Sequence, residues 1–554
     1  MELSARLEPV FLAPPAPSLR VAVVVPAHNE EERIGACLDA LAVQRGVTPD
    51  AYEVIVVLDA CEDGTAAAVA AAVERWPRLR LATIASPGRG VGSARAGGLD
   101  VACARLESVG AERGLLASTD ADSRVAPDWI ARQLAALAAG AEAVGGEIEL
   151  DPGEAGLLPP AVIAQRERDL AERTRAAAAR GPAAHPHFSG ASLGVTPLAY
   201  RRAGGMRALA ALEDQELEDR LAAVGVVIHR PREIRVVTAA RTGGRAERGL
   251  ARDLELARWL AERCYDGAAY SVSELAAAKT ASVAVVLPAR ECAATIGPTV
   301  AALAPLREAG LVDRLLVVDA DSADGTADVA RVAGAEVISE NRLAPEIGPC
   351  RGKGDAMWRA ASAVDSEVLV FLDADSSDFG SGFLTGMLGP ILLDPGLQLV
   401  KGAFLRPLAV GDERRAGEGG RVTELLARPL LNLHFPQLTG FAQPLAGEIA
   451  IRRELFDRLS VPVGYGVEIA MMIDALRLVG LDALAQVDLG SRQNRHQDLR
   501  SLSAMATEVA IAVERRTGAT PRPDSPSFRP RPEPGGEADV WRLRCEERGP
   551  RARR

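Results

Sequence analysis

The chain repeats itself. One segment reads VAVVVPAHNEEERIG from Val21, EVIVVLDACEDGT from Glu53 and GLLASTDADS from Gly114. A second reads VAVVLPARECAATIG from Val283, RLLVVDADSADGT from Arg314 and EVLVFLDADSSD from Glu367. Pro26 and Pro288 lie 262 residues apart, Asp59 and Asp319 lie 260 apart, and Asp120 and Asp373 lie 253 apart. Near-constant offsets over three strand-and-turn units identify a duplication, so both segments are expected to fold alike. Each unit opens with a short β-branched apolar run, the pattern of a strand buried on both faces. Amphipathic helices follow, expected over 31–43 and 327–333. Strand, polar turn, helix, strand predicts an α/β fold with a mostly parallel sheet, built twice in tandem. Ligands of such sheets bind at the carboxyl ends of the strands, where Asp59, Asp120, Asp319 and Asp373 fall.

At 554 residues the chain exceeds one ordinary core. The expected division is a first domain over 1–250, a helical linker over 251–281, a second domain over 282–516 and a disordered Pro- and Arg-rich tail over 517–554. The net charge of −11 gives no general attraction to nucleic acid or anionic membrane, so an anionic substrate would need local basic groups. Seven cysteines without a C-x-x-C pair argue against a disulfide framework or a structural zinc site. No apolar run approaches the ~20 residues of a membrane span, and the Pro-rich start does not read as a signal peptide. A cytoplasmic protein is expected, and a homodimer is compatible with these features. Arginine abounds, but lysine occurs only at Lys279, Lys353 and Lys401. The two residues differ at phosphate sites, which singles out Lys353 and Lys401 beside their glycines.

Asp120-Ala121-Asp122 and Asp373-Ala374-Asp375 place two carboxylates one residue apart at a strand end in both copies. Such a pair holds Mg²⁺ or Mn²⁺, which completes its shell with water and substrate phosphates. The ion neutralises charge on a departing diphosphate. One D-x-D is weak evidence, since Asp is a common turn residue; two in equivalent context are not. Asp59 and Asp319 are candidates for a base or ribose contact. Asp63 and Asp324 precede Gly-Thr and read as helix N-caps.

The openings Pro26 to Glu30 (PAHNE) and Pro288 to Glu291 (PARE) resemble the nucleotide-binding start of GT-A glycosyltransferases, whose sheet is Rossmann-like. The first half resembles an inverting family-2 member, with PAHNEE, DACEDGT, GVGSARAGG, DAD and ALEDQELEDRL in the family's order. The resemblance implies donor contacts at Pro26, Asn29, Glu30, Asp59 and Arg95, a metal at Asp120 and Asp122, and Asp214 as general base. Glu213 and Asp214 also fit a solvated acidic helix start. The Q-x-x-R-W motif of processive members is absent.

The second half resembles glucosyl-3-phosphoglycerate synthase through GPCRGKGDAMWR (from Gly348), LVKGAFLRPL (Leu399), GGRVTELLARPLL (Gly419), QPLAGEIAIRREL (Gln443) and GYGVEIAMMID (Gly464). That family moves glucose from UDP-glucose, in some members from GDP-glucose, to 3-phosphoglycerate, with retention and a divalent ion. The resemblance implies donor contacts at Pro288, Ala289, Glu291, Asp319, Lys353 and Asp373, and a metal at Asp373 and Asp375. Lys353 and Glu468 become candidates for the catalytic centre. Gly420, Arg421 and Thr423 become candidates for the acceptor; Thr423 equally fits a helix cap. Glu448 and Glu468 fit glucose contacts or structural ion pairs. Where the family has R-x-H-R-N, this chain has Arg492-Gln493-Asn494-Arg495-His496, which assigns Asn494 to the metal and His496 to the acceptor. The expected activity is bifunctional hexosyl transfer. Mannosyl transfer, a lipid-phosphate acceptor, or one half acting as a scaffold are the alternatives. A nucleotidyltransferase is disfavoured because its Gly-rich loop is missing between Val21 and Ile34.

Overall fold

The computed structural model describes residues 12–179, 183–209, 212–241, 250–406, 408–410, 413–415, 420–492, 499–518, 527–528, 541–542 and 546–551. Asn494 and His496 lie outside the described residues. Two compact units divide the chain, Met1–Ala261 and Glu262–Arg554.

The first unit contains β1 (Val21–Ala27), β2 (Tyr52–Asp59), β3 (Leu81–Ser86), β4 (Leu115–Ser118), β5 (Ser123–Val125), β6 (Ala143–Gly145), β7 (Glu147–Leu150), β8 (Leu193–Val195), β9 (Ile228–His229) and β10 (Arg235–Thr238). Its main sheet has the order β3-β2-β1-β4-β8-β6-β9, with β8 alone running antiparallel to its neighbours. A smaller sheet, β5-β10-β7, stands beside it. Val21, Val23 and Val25 enter one apolar cluster while Ala22 and Val24 enter another, so β1 is buried on both faces as its composition dictates.

The second unit contains β11 (Cys264–Asp266), β12 (Val283–Ala289), β13 (Arg314–Asp319), β14 (Glu336–Ser339), β15 (Val368–Phe371), β16 (Leu399–Leu405), the hairpin β17 (Leu408–Val410) and β18 (Glu413–Arg415), then β19 (Ile449–Arg452), β20 (Val461–Pro462) and β21 (Leu484–Ser491). The main sheet runs β11-β21-β16-β19-β15-β12-β13-β14. Read from β14 inward its first seven strands repeat the order of the first sheet, with the antiparallel β19 in the place of β8, and β11 adds an eighth at the far edge. In each unit the strand order reverses beside the first strand, and the crevice at that reversal is where such sheets bind ligands.

Several boundaries differ from the sequence reading. The helices expected over 31–43 and 327–333 span Ile34–Ala42 and Thr326–Val332. The segment 251–281 is not a separate linker. The helix Leu250–Glu262 packs Leu254 against Leu158 and Val162 of the first unit, whereas β11 pairs with β21 of the second. Nor is the tail solvated throughout, because the short strand Glu547–Arg548 pairs with β20 and Arg551 stacks 5.0 Å over Trp358. No helix among the described residues is long and apolar enough to cross a membrane.

Candidate functional site

The loops after β1 and β12 are built alike. Asn29 and Glu291 both hold positive φ, 53° and 50°. Asn29 Oδ1 accepts the Glu62 amide at 2.7 Å, and Glu291 Oε1 accepts the Ala323 amide at 2.9 Å. The next amides, of Glu30 and Cys292, donate to Thr65 Oγ1 and Thr326 Oγ1. The true counterpart of Glu30 is therefore Cys292, and Glu291 does the loop-closing work of Asn29. Pro26 and Ala289 lie buried within β1 and β12, and Pro288 is partly covered beside Ala289.

Asp59 and Asp319 end β2 and β13, yet they differ. Asp59 accepts from Ser86 Oγ (2.5 Å) and from the amides of Gly88 (3.0 Å) and Gly90 (3.1 Å), so its oxygens hold the turn that leads into the helix Val91–Ser108. Asp319 Oδ2 accepts from the Ser322 amide, while its buried Oδ1 has no partner among the described residues. A buried acceptor left unpaired is costly, so Asp319 Oδ1 is the better placed of the two to take a ligand hydroxyl or N–H. Asp63 and Asp324 each accept the amide of the first helical residue, Thr65 or Thr326, with Gly64 and Gly325 at the N-cap itself. Their second oxygens tie in Glu31 and Ala293, so each pins two helix starts together.

At the D-x-D ends the two units make the same charge cluster with different residues. In the second, Lys353 Nζ lies 2.6 Å from Asp373 and 2.7 Å from Glu468, at the start of the helix Val467–Val479. In the first, Arg95 lies 2.8 Å from Asp120 and 3.1 Å from Glu213, at the start of the helix Glu213–Ala223. Lys353 opens its helix just after Gly352; Arg95 stands one turn further along a helix capped by Gly90. The longer guanidinium reaches the same place and adds Ser118 Oγ at 2.7 Å and the Gly190 carbonyl at 3.0 Å. Asp214 Oδ2 accepts the Gly190 amide at 3.1 Å, which fixes this half-buried carboxylate beside the cluster.

Around Lys353 the second unit gathers further charge, including Arg406, which the sequence reading did not single out. Burial opposes the Lys353 charge, but Asp373 and Glu468 hold its ammonium protonated well above the ordinary range. Burial likewise opposes ionisation of Asp373, and Lys353, Arg492 and Arg406 overcome it, keeping its pKa below the usual carboxylate range. Burial, then Asp373, pushes Asp375 upward. Lys401 is fully buried in β16 and donates to the Ala446 carbonyl, and burial pulls it down to about 7. Arg492 makes a fully buried ionic contact with Glu448, donates its amide to the Leu405 carbonyl and stacks 5.4 Å over Phe404. Glu448 is thus buried against Arg492. Gly420 (φ 72°) lies near Gln443, whose amide donates to the Phe404 carbonyl, so the Gly420 loop reaches the same strand end as the arginines. Thr423 is buried inside a helix that already includes Arg421 and Val422, so it is not the cap.

Among the described residues, no three His, Cys, Asp or Glu side chains form a metal-ligand group. Two carboxylates are still enough for an ion that draws its remaining ligands from water and diphosphate. In the second unit the donor set fits, because Asp375 has no ion-pair partner among the described residues while Asp373 is held by Lys353. In the first it does not fit as it stands. Asp120 is taken by Arg95, and Asp122 is taken by Arg241 at 2.6 Å.

The C-terminal return acts on the same helix as Lys353. Arg548 binds both oxygens of Asp355 at 2.8 Å, and Asp355 also pairs with buried Arg359 at 3.1 Å. Burial opposes the Asp355 charge, and Arg548 with Arg359 keeps its pKa low nonetheless. Asp355 would keep Arg359 but lose a two-pronged charged partner, so Arg548→Ala is expected to cost about 2 kcal/mol of second-unit stability. It should also raise the donor KM severalfold. Thermal melting and donor titration check both; an unchanged KM would mean the return does not position Lys353.

A family model described as glycosyl transferase family 2 matches residues 22–193 and 284–439. Glucosyl-3-phosphoglycerate synthase of Mycolicibacterium paratuberculosis is 42% identical over 271 residues, covering 48% of this chain and 81% of the relative. Among solved structures, mannosyl-3-phosphoglycerate synthase from Rubrobacter xylanophilus is 44% identical with a TM-score of 0.49, covering 53% of this chain and 98% of that one. Glucosyl-3-phosphoglycerate synthase from Mycobacterium tuberculosis in complex with Mn²⁺ and UDP-glucose is 38% identical with a TM-score of 0.46, covering 51% and 94%.

Proposed function

The chain belongs to glycosyl transferase family 2 and is a glycosyltransferase, and from that premise we propose that its second half transfers glucose from UDP-glucose to 3-phosphoglycerate. The observation that carries this reading is the Lys353–Asp373–Glu468 cluster beside the basic strand end at Arg406 and Arg492. Three cations (Lys353, Arg406, Arg492) and the buried Lys401, which is only partly charged near neutrality, face four carboxylates (Asp373, Asp375, Glu448, Glu468). A near-neutral cluster of this kind accepts a diphosphate and a phosphorylated acid only with added positive charge. A divalent ion held by Asp373 and Asp375 would supply it when bound, offsetting charge on the leaving diphosphate.

The chain's own groups do the rest. Gly352 (φ 149°) lets backbone approach the diphosphate at the start of the helix Lys353–Ala360, whose dipole favours an anion there. Lys353, fixed between two carboxylates, presents one ammonium to the phosphates and keeps it charged at any physiological pH. Arg421 and the arginines at the strand end offer forked donors to the acceptor's phosphate and carboxylate. Retention is carried over from the resemblance, and no protein nucleophile is assigned. In the first half Asp214 is the proposed base of an inverting transfer to an acceptor still to be identified, a role consistent with its fixed place beside Arg95 and Gly190.

Incubating the full chain with UDP-glucose, 3-phosphoglycerate and Mn²⁺ should yield UDP and a glucosylated phosphoglycerate. Asp373→Asn with Asp375→Asn should lower UDP release about 10³-fold, the scale for removing preorganised charge stabilisation. Unchanged release in that variant would sink the assignment. A preference for GDP-mannose in a donor panel would redirect it to mannosyl transfer.

A further inference from the structure

The two D-x-D pairs sit at equivalent strand ends but are already held differently. Arg241 follows β10 and binds Glu30 with both ends of its guanidinium, at 2.7 and 3.2 Å, and Asp122 at 2.6 Å. In the second unit Cys292 stands in place of Glu30, so among the described residues no arginine bridges that position to the D-x-D pair. With Arg95 on Asp120, each carboxylate of the first pair carries an arginine. For a hard divalent ion to enter, Arg241 would have to leave two carboxylates at once, and Mg²⁺ and Mn²⁺ demand those oxygens with little tolerance in geometry.

We propose that the Asp120–Asp122 pair is not a metal site and that Arg241 supplies the positive charge for the donor's nucleoside diphosphate in the first half. Two of its N–H groups donate to Glu30 and its Nη2 ion-pairs with Asp122, so its five donors outnumber these contacts. Its side chain is 26% exposed, unlike that of Arg95 at 3%, so a ligand can reach it. A guanidinium so braced offers the fork that phosphate oxygens accept without the cost of ordering a free side chain. The inference needs only that the first half binds a nucleoside diphosphate, as its family membership implies, and is independent of the acceptor assigned to the second half.

The test counts Mn²⁺ bound by the full chain, from the electron paramagnetic signal of free Mn²⁺, alone and with saturating UDP or GDP. One ion per chain is expected, lost in Asp373→Asn/Asp375→Asn and retained in Asp120→Asn/Asp122→Asn. Adding Arg241→Gln or Arg241→Ala to the Asp373→Asn/Asp375→Asn background should create a Mn²⁺ site. In the same background with a chelator present, either change should weaken UDP or GDP binding at least about tenfold, the loss of one charge-assisted contact. Thermal melting identifies whichever Arg241 variant is folded. A Mn²⁺ site that survives Asp373→Asn/Asp375→Asn and vanishes in Asp120→Asn/Asp122→Asn overturns the inference. So does an unaltered nucleotide affinity in the folded Arg241 variants. A wild-type chain that binds no Mn²⁺ at all supports it while overturning the metal reading of the second half.

Discussion

Gly447→Ala is expected to remove nearly all of the glucosyl transfer proposed for the second half while leaving that unit folded. A Cβ at position 447 would lie 2.0 Å from Asp373 Oδ1, 2.5 Å from its Cγ and 2.6 Å from Lys353 Nζ, distances no methyl group can keep. Something must move. Asp373 hangs from the end of β15 and is held by Lys353, which Glu468 holds from its other side, so neither charge can shift without breaking a pair of about hydrogen-bond length. Displacing groups at a reacting centre by about 1 Å costs on the order of 10²-fold in rate. Overpacking of this kind costs stability by only about 1–3 kcal/mol, which a unit of this size tolerates. Gly380→Ala is the matched control, since its Cβ would meet nothing within 4 Å and its φ is −129°. The measurement is the initial rate of UDP release with 3-phosphoglycerate present, beside a melting curve for each variant. If Gly447→Ala turns over at the wild-type rate, the Lys353–Asp373 pair stands away from the chemistry.

This glycine also marks where a sequence is readable and where it is not. Strand identity, sheet type and the strand-end carboxylates follow from apolar runs and from spacing within one segment, and those features kept their places. Lys353 stood out because lysine is so scarce. The rest depended on partners distant in sequence. Arg241 meets Glu30 across 211 residues and Arg548 meets Asp355 across 193, and no local pattern encodes such a meeting. With arginine so common in this chain, nothing marked those two among the others. The one-residue slip between PAHNE and PARE was hidden because both carry a Glu. Yet the 262-residue offset of Pro26 and Pro288 already pairs Asn29 with Glu291, and the matched positive φ and the threonine hydroxyls behind them hold to that register. Asp59 and Asp319 look identical in sequence, and they part because a Ser and two glycine amides converge on one of them alone.

Arg95→Met should destabilise the first unit by about 3–5 kcal/mol, the usual cost of stranding the partner of a buried ion pair. Arg95 is 3% exposed and Glu213 5%, so the carboxylate left behind has almost no water to turn to. Ser118 and the Gly190 carbonyl would also lose their donor. Amide hydrogen exchange in β4, β8 and the helix Val91–Ser108 should accelerate by about 10²–10³-fold, while β12 and β15 stay as in the wild type. Lysine is no substitute: one ammonium cannot meet Asp120, Glu213, Ser118 and Gly190 from a single point, so Arg95→Lys should recover only part of the loss. The cost lies in the unpaired charge more than in the pair itself. Removing that charge as well, in Arg95→Met with Glu213→Leu, should therefore bring stability back toward wild type while nucleotide binding stays impaired. Recovery of both together would reduce Arg95 to a packing element. Recovery of stability alone separates the two duties of the residue, which are holding the helix start and, on the reading proposed for the first half, presenting the donor site in its working shape.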